Sequence, residues 1–275
     1  LAKTDAGFIA LQESDNPVLQ ELCAVRLGTK STIEESRIQR FIDVGERHQG
    51  LLPIPLKYYG AHTGRWSGSD KVNFQNLPSR DVKKKALKNA ILPPVDHVIL
   101  NVDSSQIEAR ILVWLAGQHD QVELYRQGKD VYCDFASRVY KKTINKKNKK
   151  ERAVGKTCIL GLGYGTGHVK LKGVLKLNAG IEVNEIESKR LVKLYREVNH
   201  EVVKLWEECD RALRDIASWP ADRLPYYLGS GKCLLVEPKG IKLPNGLYIT
   251  YPDLQLGSDG YEYKSRRGTI SIWGG

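Results

Sequence analysis

Val98-Ile99-Leu100-Asn101-Val102-Asp103-Ser104-Ser105-Gln106-Ile107-Glu108-Ala109-Arg110 is an apolar run that ends on a carboxylate and restarts as a helix with a polar face. Val, Ile and Leu over residues 98–102 suit a short buried strand. Asp103 ends it, and Ser104 or Ser105 is placed to cap the helix that follows. A carboxylate held at the tip of a core strand is a natural metal ligand, although Asp103 could equally be no more than a helix cap.

Downstream, Glu151-Arg152-Ala153-Val154-Gly155-Lys156-Thr157-Cys158-Ile159-Leu160-Gly161-Leu162-Gly163-Tyr164-Gly165 carries Arg152, Lys156, Leu160 and Tyr164 at every fourth position. A helix turns once in about 3.6 residues, so these four drift slowly around one face. Two cations, an apolar platform and an aromatic ring follow in the order that a triphosphate, a sugar and a base would need. An ordinary surface helix with snorkelling cations and a glycine-rich end has the same pattern. Upstream, Gly64-Arg65-Trp66-Ser67-Gly68 and Asn73-Phe74-Gln75-Asn76-Leu77-Pro78 form a turn-rich segment with an Arg and three side-chain amides. Such groups can touch phosphates and minor-groove base edges, or simply face solvent.

In this order and spacing the three stretches resemble family A DNA polymerases, the polymerase I type, and in particular phage-like versions. Residues 103–110 resemble the family's motif A, and Arg152-x-x-x-Lys156-x-x-x-Leu160-Gly161-x-x-Tyr164-Gly165 resembles motif B. Thr63-Gly64-Arg65, with the segment at 73–78, resembles the palm loop after the thumb, and Lys30-Ser31-Thr32 resembles the thumb-to-palm junction. The likeness runs from about residue 25 to the end of the chain.

The resemblance implies an α+β, right-hand polymerase fold: a partial palm with an antiparallel sheet, a mostly helical fingers domain and a remnant of the thumb. It divides the chain into a thumb remnant at 1–28, palm at 29–115, fingers at 116–250 and the start of a return to the palm at 251–275. Its partners would be primer-template DNA and dNTPs. Asp103 and the Ser104 carbonyl would hold metal, the cofactor being Mg2+ as a pair of ions. Glu108 would be the steric gate against a ribose 2′-hydroxyl, with Tyr164 as its partner. Arg152 and Lys156 would bind the triphosphate, with Leu160 beneath the sugar. Gln106 and Arg65 would contact the nucleotide or primer-template, and Asn73, Gln75 and Asn76 would track the duplex. Lys83 and Lys84 are further candidates for its backbone. A single-subunit RNA polymerase shares the hand-like fold, but Glu108 as gate speaks against it.

Three departures from the family pattern matter. Leu160 stands where the family has Phe or Tyr, which removes a flat platform. Tyr132, in Asp130-Val131-Tyr132-Cys133, stands where many relatives have a His near the triphosphate, and its hydroxyl could replace that donor. The third is the absence of a His-Asp-Glu triplet, the motif C that carries the second metal-binding carboxylate; the one His-Asp pair, His119-Asp120, continues into Gln121. One carboxylate anchors two ions poorly. The expectation is therefore a chain inactive or nearly so alone, a fragment or one part of a split enzyme completed by a second chain or downstream segment supplying motif C. Zero methionines and the leading Leu1 fit that expectation. The alternative is a noncatalytic remnant that binds primer-template or nucleotide.

The rest of the chain agrees. A net charge of +11 and a pI near 9.3 favour a polyanionic partner. The densest run, Lys141-Lys142-Thr143-Ile144-Asn145-Lys146-Lys147-Asn148-Lys149-Lys150, is either a solvated loop or a phosphate contact. Five cysteines without CxxC spacing argue against zinc or a disulfide framework and fit a reducing compartment. With no apolar run of about 20 residues, the expectation is a cytoplasmic protein without membrane contact, in the host cytoplasm if viral. Gly161-Leu162-Gly163-Tyr164-Gly165-Thr166-Gly167 fails as a dinucleotide loop because it follows a helix and not a strand. Periodicity predicts helix over 1–28, a further helix to Arg47 with Ile38, Phe41 and Ile42 inward, and helices from Ala116 to about Trp219. Within the last, Val198, Val202, Leu205, Trp206, Cys209, Leu213 and Ile216 form a core stripe, stopped by Pro220. Asn245-Gly246 predicts a hairpin.

Overall fold

The structure, a computed structural model, describes residues 6–14, 16–28, 33–61, 63–70, 73–77, 85–100, 102–257, 260–265 and 268–272. Lys30, Ser31, Thr32, Pro78, Lys83 and Lys84 lie outside the described residues, as does the side chain of Asn76. The chain divides into two compact units, Leu1–Val102 and Asp103–Gly275.

In the first unit, α1 (Ala6–Gln12) and α2 (Pro17–Gly28) replace the single helix predicted at the start of the chain. Pro17 explains the break, since proline is tolerated only in a helix's first turn. Helix α3 (Ile33–Arg47) buries Phe41 and Val44, and Phe41 stacks on Phe74 with ring centroids 5.2 Å apart. Ile38 and Ile42, expected inward, are 42% and 47% exposed, because Phe41 and Val44 set the buried face of that helix. A two-residue ladder joins β1 (Leu56–Lys57) to β2 (Ser67–Gly68). A 3-10 turn at Phe74–Asn76 and the short α4 (Lys85–Asn89) follow.

The expected core strand at 98–102 is not formed. Val98, Ile99, Leu100 and Val102 are 81%, 62%, 82% and 90% exposed, and no described strand pairs with them. Such a run is buried when a sheet flanks it and helices cover it, and among the described residues no strand flanks these. The residues are apolar as the pattern requires, but they form neither a strand nor a buried layer.

The second unit is helical and then antiparallel. Its helices are α5 (Ile107–Ala116), α6 (His119–Arg126), α7 (Val131–Tyr140), α8 (Lys149–Leu162), α9 (His168–Ala179), α10 (Glu185–Val198) and α11 (His200–Ala217). Phe135, Val154, Leu162, Leu171, Leu175, Leu191 and Val202 form their shared core. Each such side chain contributes roughly 1.5–3 kcal/mol when fully buried. The stripe read as one helix is split at Asn199, which ends α10, but Val202, Leu205 and Leu213 are buried as expected, and α11 stops shortly before Pro220.

The strands β3 (Tyr226–Leu228), β4 (Leu234–Glu237), β5 (Gly240–Lys242) and β6 (Tyr248–Ile249) form an antiparallel sheet in sequence order. Leu228, Val236 and Ile241 pack with Leu205 and Ala212 of α11. The predicted hairpin joins β5 to β6, with Gly246 at φ +81° and Asn245 Oδ1 accepting from Leu247 N. A second meander, β7 (Gln255–Gly257), β8 (Gly260–Ser265) and β9 (Gly268–Ile272), places Tyr261 beside Leu213 and Leu254.

Helices α7 and α8 meet most closely at Gly155, where a β-carbon would overlap the carbonyl oxygen of Tyr132 and crowd Ala136. Gly155→Ala is therefore expected to lower stability by about 1–3 kcal/mol, the usual cost of overpacking, as measured by urea unfolding.

Candidate functional site

Helix α8 shows solvent one face and the core another. Val154, Gly155, Thr157, Cys158, Ile159 and Leu162 are buried, while Lys156 is exposed and Arg152 and Leu160 are half-buried. The stripe Arg152, Lys156, Leu160 is thus the outward face of a helix whose other side is locked into the core. Lys156 has no ion-pair partner among the described residues.

Arg152 is held from below. Its Nε donates to Asp130 Oδ2 at 2.8 Å, and its guanidinium lies 5.2 Å from the centre of the Tyr132 ring. The other oxygen of Asp130 caps α7, accepting from the backbone N–H of Tyr132 and Cys133 at 3.1 and 3.2 Å. Partial burial works against charge on Asp130, but the Arg152 guanidinium and these backbone donors outweigh it and hold the carboxyl below its usual range. Burial likewise disfavours the charged form of Arg152, and Asp130 more than offsets this. With Nε committed to Asp130, the guanidinium still carries its terminal N–H donors. Tyr132 is 5% exposed, so its ring supports Arg152 and its hydroxyl is largely enclosed. Asp130 was not assigned from sequence, although an Asp directly before an apolar helical run is the usual N-cap signal.

At the other end of α8, Tyr164 Oη donates to Glu108 Oε2 at 2.5 Å. This bond joins α5 to the end of α8 across 56 residues. Beside it lies an open cleft of about 250 Å³ lined by Glu108, Leu112, Leu160, Gly163 and Tyr164 among others. Its floor is aliphatic and its lip carries the Glu108–Tyr164 pair. Leu160 faces this cleft.

Asp103 and Ser104 are exposed on the segment leading into α5. The helix is not capped by Ser104 or Ser105 as expected: Gln106 occupies the N-cap position without a side-chain cap, at φ 59°. Left-handed backbone at a non-glycine residue costs about 1–2 kcal/mol, so the entry into α5 carries local strain. Asp103 therefore does not serve as the helix cap. Among the described residues, no group of three or more His, Cys, Asp or Glu is placed to hold a metal ion.

In the first unit, the two turn segments lie side by side, since a β-carbon on Gly68 would overlap Asn73. Asn73 Oδ1 is used locally, accepting from Gln75 N at 2.9 Å to cap the 3-10 turn. Arg65 and Gln75 are exposed nearby. No helix is long and apolar enough to cross a membrane among the described residues.

Comparison with known proteins then defines the class. The profile of DNA polymerase family A matches residues 3–216, and the chain belongs to that family. It is 28% identical over 265 residues to the DNA polymerase of Bacillus phage SP02, covering 80% of this chain and 40% of that protein. It is 25% identical over 174 residues to the thermostable DNA polymerase I of Thermus aquaticus, covering 63% and 21%. The POL domain of Pol1 from M. smegmatis, in complex with DNA primer-template and dNTP, superimposes with a TM-score of 0.60 at 26% identity, over 77% of this chain and 36% of that one. The chain thus spans two-fifths or less of these relatives, and its fold is a partial right-hand polymerase fold of the α+β class.

The Asp130–Arg152 pair predicts a pH signature. Asp130→Asn keeps a good helix cap but loses the charge, so it should be about 1 kcal/mol less stable than the parent at neutral pH. Because the folded carboxyl is depressed, the parent's advantage is complete above the unfolded value of about 3.9 and disappears as the pH falls below it. Urea titrations of both proteins from pH 7 down to pH 3 measure the converging difference.

Proposed function

We propose that this chain is the nucleotide-binding part of a template-directed DNA polymerase that adds deoxynucleotides to a primer 3′ end. The observation that carries this reading is the order along α8: two outward-face cations, Arg152 half-buried and Lys156 exposed, then Leu160 at a cleft bordered by the Glu108–Tyr164 pair. That order matches triphosphate, sugar and base. The likeness to a POL domain solved with primer-template and dNTP supports it.

In this reading residues 1–28 are thumb, 29–115 palm, 116–250 fingers and 251–275 the return to the palm. Arg152, oriented by Asp130, and Lys156 hold the triphosphate and stabilise charge as it builds during displacement at the α-phosphorus. Glu108, pinned by Tyr164, closes the space a 2′-hydroxyl would need. Gln106, just ahead of α5, contacts the nucleotide. Arg65, Asn73, Gln75 and Asn76, with Lys83 and Lys84, follow the primer-template, Asn73 through the amide nitrogen that its capping role leaves over.

Mg2+ fits this chain only in part. Asp103 and the Ser104 carbonyl are hard oxygen donors of the kind magnesium takes, but two oxygens do not make a two-ion site. In complete enzymes of this mechanism the paired ions stabilise the attacking and departing oxygens. The second carboxylate would come from a His-Asp-Glu segment, downstream or on another chain. The exposed aliphatic residues Val98, Ile99, Leu100 and Val102, just before Asp103, support this: they form an apolar surface that a strand of that segment would cover.

Primer extension on a primed DNA template, with Mg2+ and dNTPs, tests the reading. Extension is expected only when a segment carrying His-Asp-Glu is supplied with the chain. No extension in either case, with tight primer-template binding, would point to a binding-only remnant. In the reconstituted enzyme, Leu160→Phe should raise the incorporation rate and change acceptance of dideoxynucleotides, because it restores a flat platform in the cleft. Single-turnover incorporation of dNTP against ddNTP measures both; two unchanged values would remove Leu160 from the sugar site.

A further inference from the structure

The lysine-rich segment ahead of α8 is built rigidly. Ile144 is 5% exposed against Cys133 and Ala136, and its N–H donates to Ser137 Oγ. Asn145 and Asn148 then close the turn, with Asn148 Oδ1 accepting from Asn145 N and Asn145 Oδ1 from Lys147 N. Such a frame fixes the backbone from which the lysines project. Lys142 pairs with Glu151 at 3.4 Å. Lys149, the first residue of α8, is exposed and has no ion-pair partner among the described residues.

Its place on the helix is what distinguishes it. Lys149, Arg152 and Lys156 are spaced i, i+3 and i+7, within an arc of about 60° on one face, while Lys150 lies about 100° further round. Along the axis Lys149 stands about 4.5 Å before Arg152, well within reach of its four-carbon stem. Arg152 already shares its charge with Asp130, so that pair is close to neutral. The net positive charge of the stripe therefore comes from Lys156 and Lys149.

Resting on the reading of α8 as a triphosphate site, we propose that Lys149 is its third phosphate-binding cation, taking the terminal phosphate of the incoming nucleotide and of the departing pyrophosphate. Polyphosphate is favoured over nucleic acid because Lys149 continues the Arg152–Lys156 face by one turn. Removing a cation from the first turn of a helix relieves an unfavourable interaction with the helix dipole, so the variant is expected to fold at least as well as the parent.

The test is calorimetric binding of inorganic tripolyphosphate to the full 275-residue chain, at one low salt concentration without divalent cations. K149Q, K150Q and K156Q are compared, with melting curves as the folding control. K149Q is expected to weaken binding roughly 3- to 10-fold and K150Q less than about 2-fold, although both remove one charge from the same turn. Equal weakening by K149Q and K150Q would mean diffuse attraction and overturn the proposal. An effect of K156Q without one of K149Q would overturn it while leaving the triphosphate site standing, and silence from all three variants would remove that site as well. If K149Q weakens a single-stranded oligonucleotide as much as tripolyphosphate, the residue serves DNA and the proposal fails.

Discussion

Helix α8 can lie against α7 as it does only because residue 155 has no β-carbon, and the division of α8 into an inner and an outer face depends on that contact. The close approach turns Val154, Cys158, Ile159 and Leu162 into the core and fixes which residues of the helix face outward. It also brings the N-terminus of α7 beneath Arg152, so that one carboxylate, Asp130, both caps a helix and orients a cation. Burial has made the Cys158 thiol, on the same inner face, inert as an acid, with its pKa pushed up to about 12. A single steric allowance thus separates a structural face from a chemical one.

The chemical face has a gradient along it. At one end the charge of Arg152 is balanced by Asp130, and the exposed lysines supply what remains. At the other end the surface becomes aliphatic and is bounded by a short hydrogen bond between two polar side chains on different helices. Phosphates need mobile, exposed cations, whereas a sugar or base is better met by a shaped apolar cleft with few polar groups. Asp103, by contrast, stands exposed after an aliphatic run that no described element covers. The α8 face is thus held by hydrogen bonds from neighbouring helices, whereas no group of three or more His, Cys, Asp or Glu stands ready for a metal ion among the described residues.

Local chemistry made much of this readable. The fourfold spacing of Arg152, Lys156, Leu160 and Tyr164, the Asn245-Gly246 turn and the α11 stripe follow from backbone periodicity, which acts over one or two turns. Helix α8 carries Arg152, Lys156 and Leu160 as that periodicity predicts but ends at Leu162, ahead of Tyr164, and the Asn245-Gly246 turn joins β5 to β6. Misreadings arose where burial depends on distant partners. Residues 98–102 have the composition of a core strand, yet a strand is buried only by neighbours that its own sequence does not contain. Ile38 and Ile42 stay exposed for the same reason: the partner that meets this helix, Phe74, packs on Phe41.

What the sequence by itself determined is the helical character of most of the second unit, the cationic and aliphatic order along α8 and the family to which the chain belongs, since each is encoded in spacing along a few turns of backbone. Only the tertiary structure decided that Asp130 tethers Arg152 across 22 residues, that Tyr164 meets Glu108 across 56, and that the run before Asp103 stays exposed. Those outcomes depend on how helices close upon one another, and that is set by packing volumes and steric allowances such as the one at Gly155, not by local period.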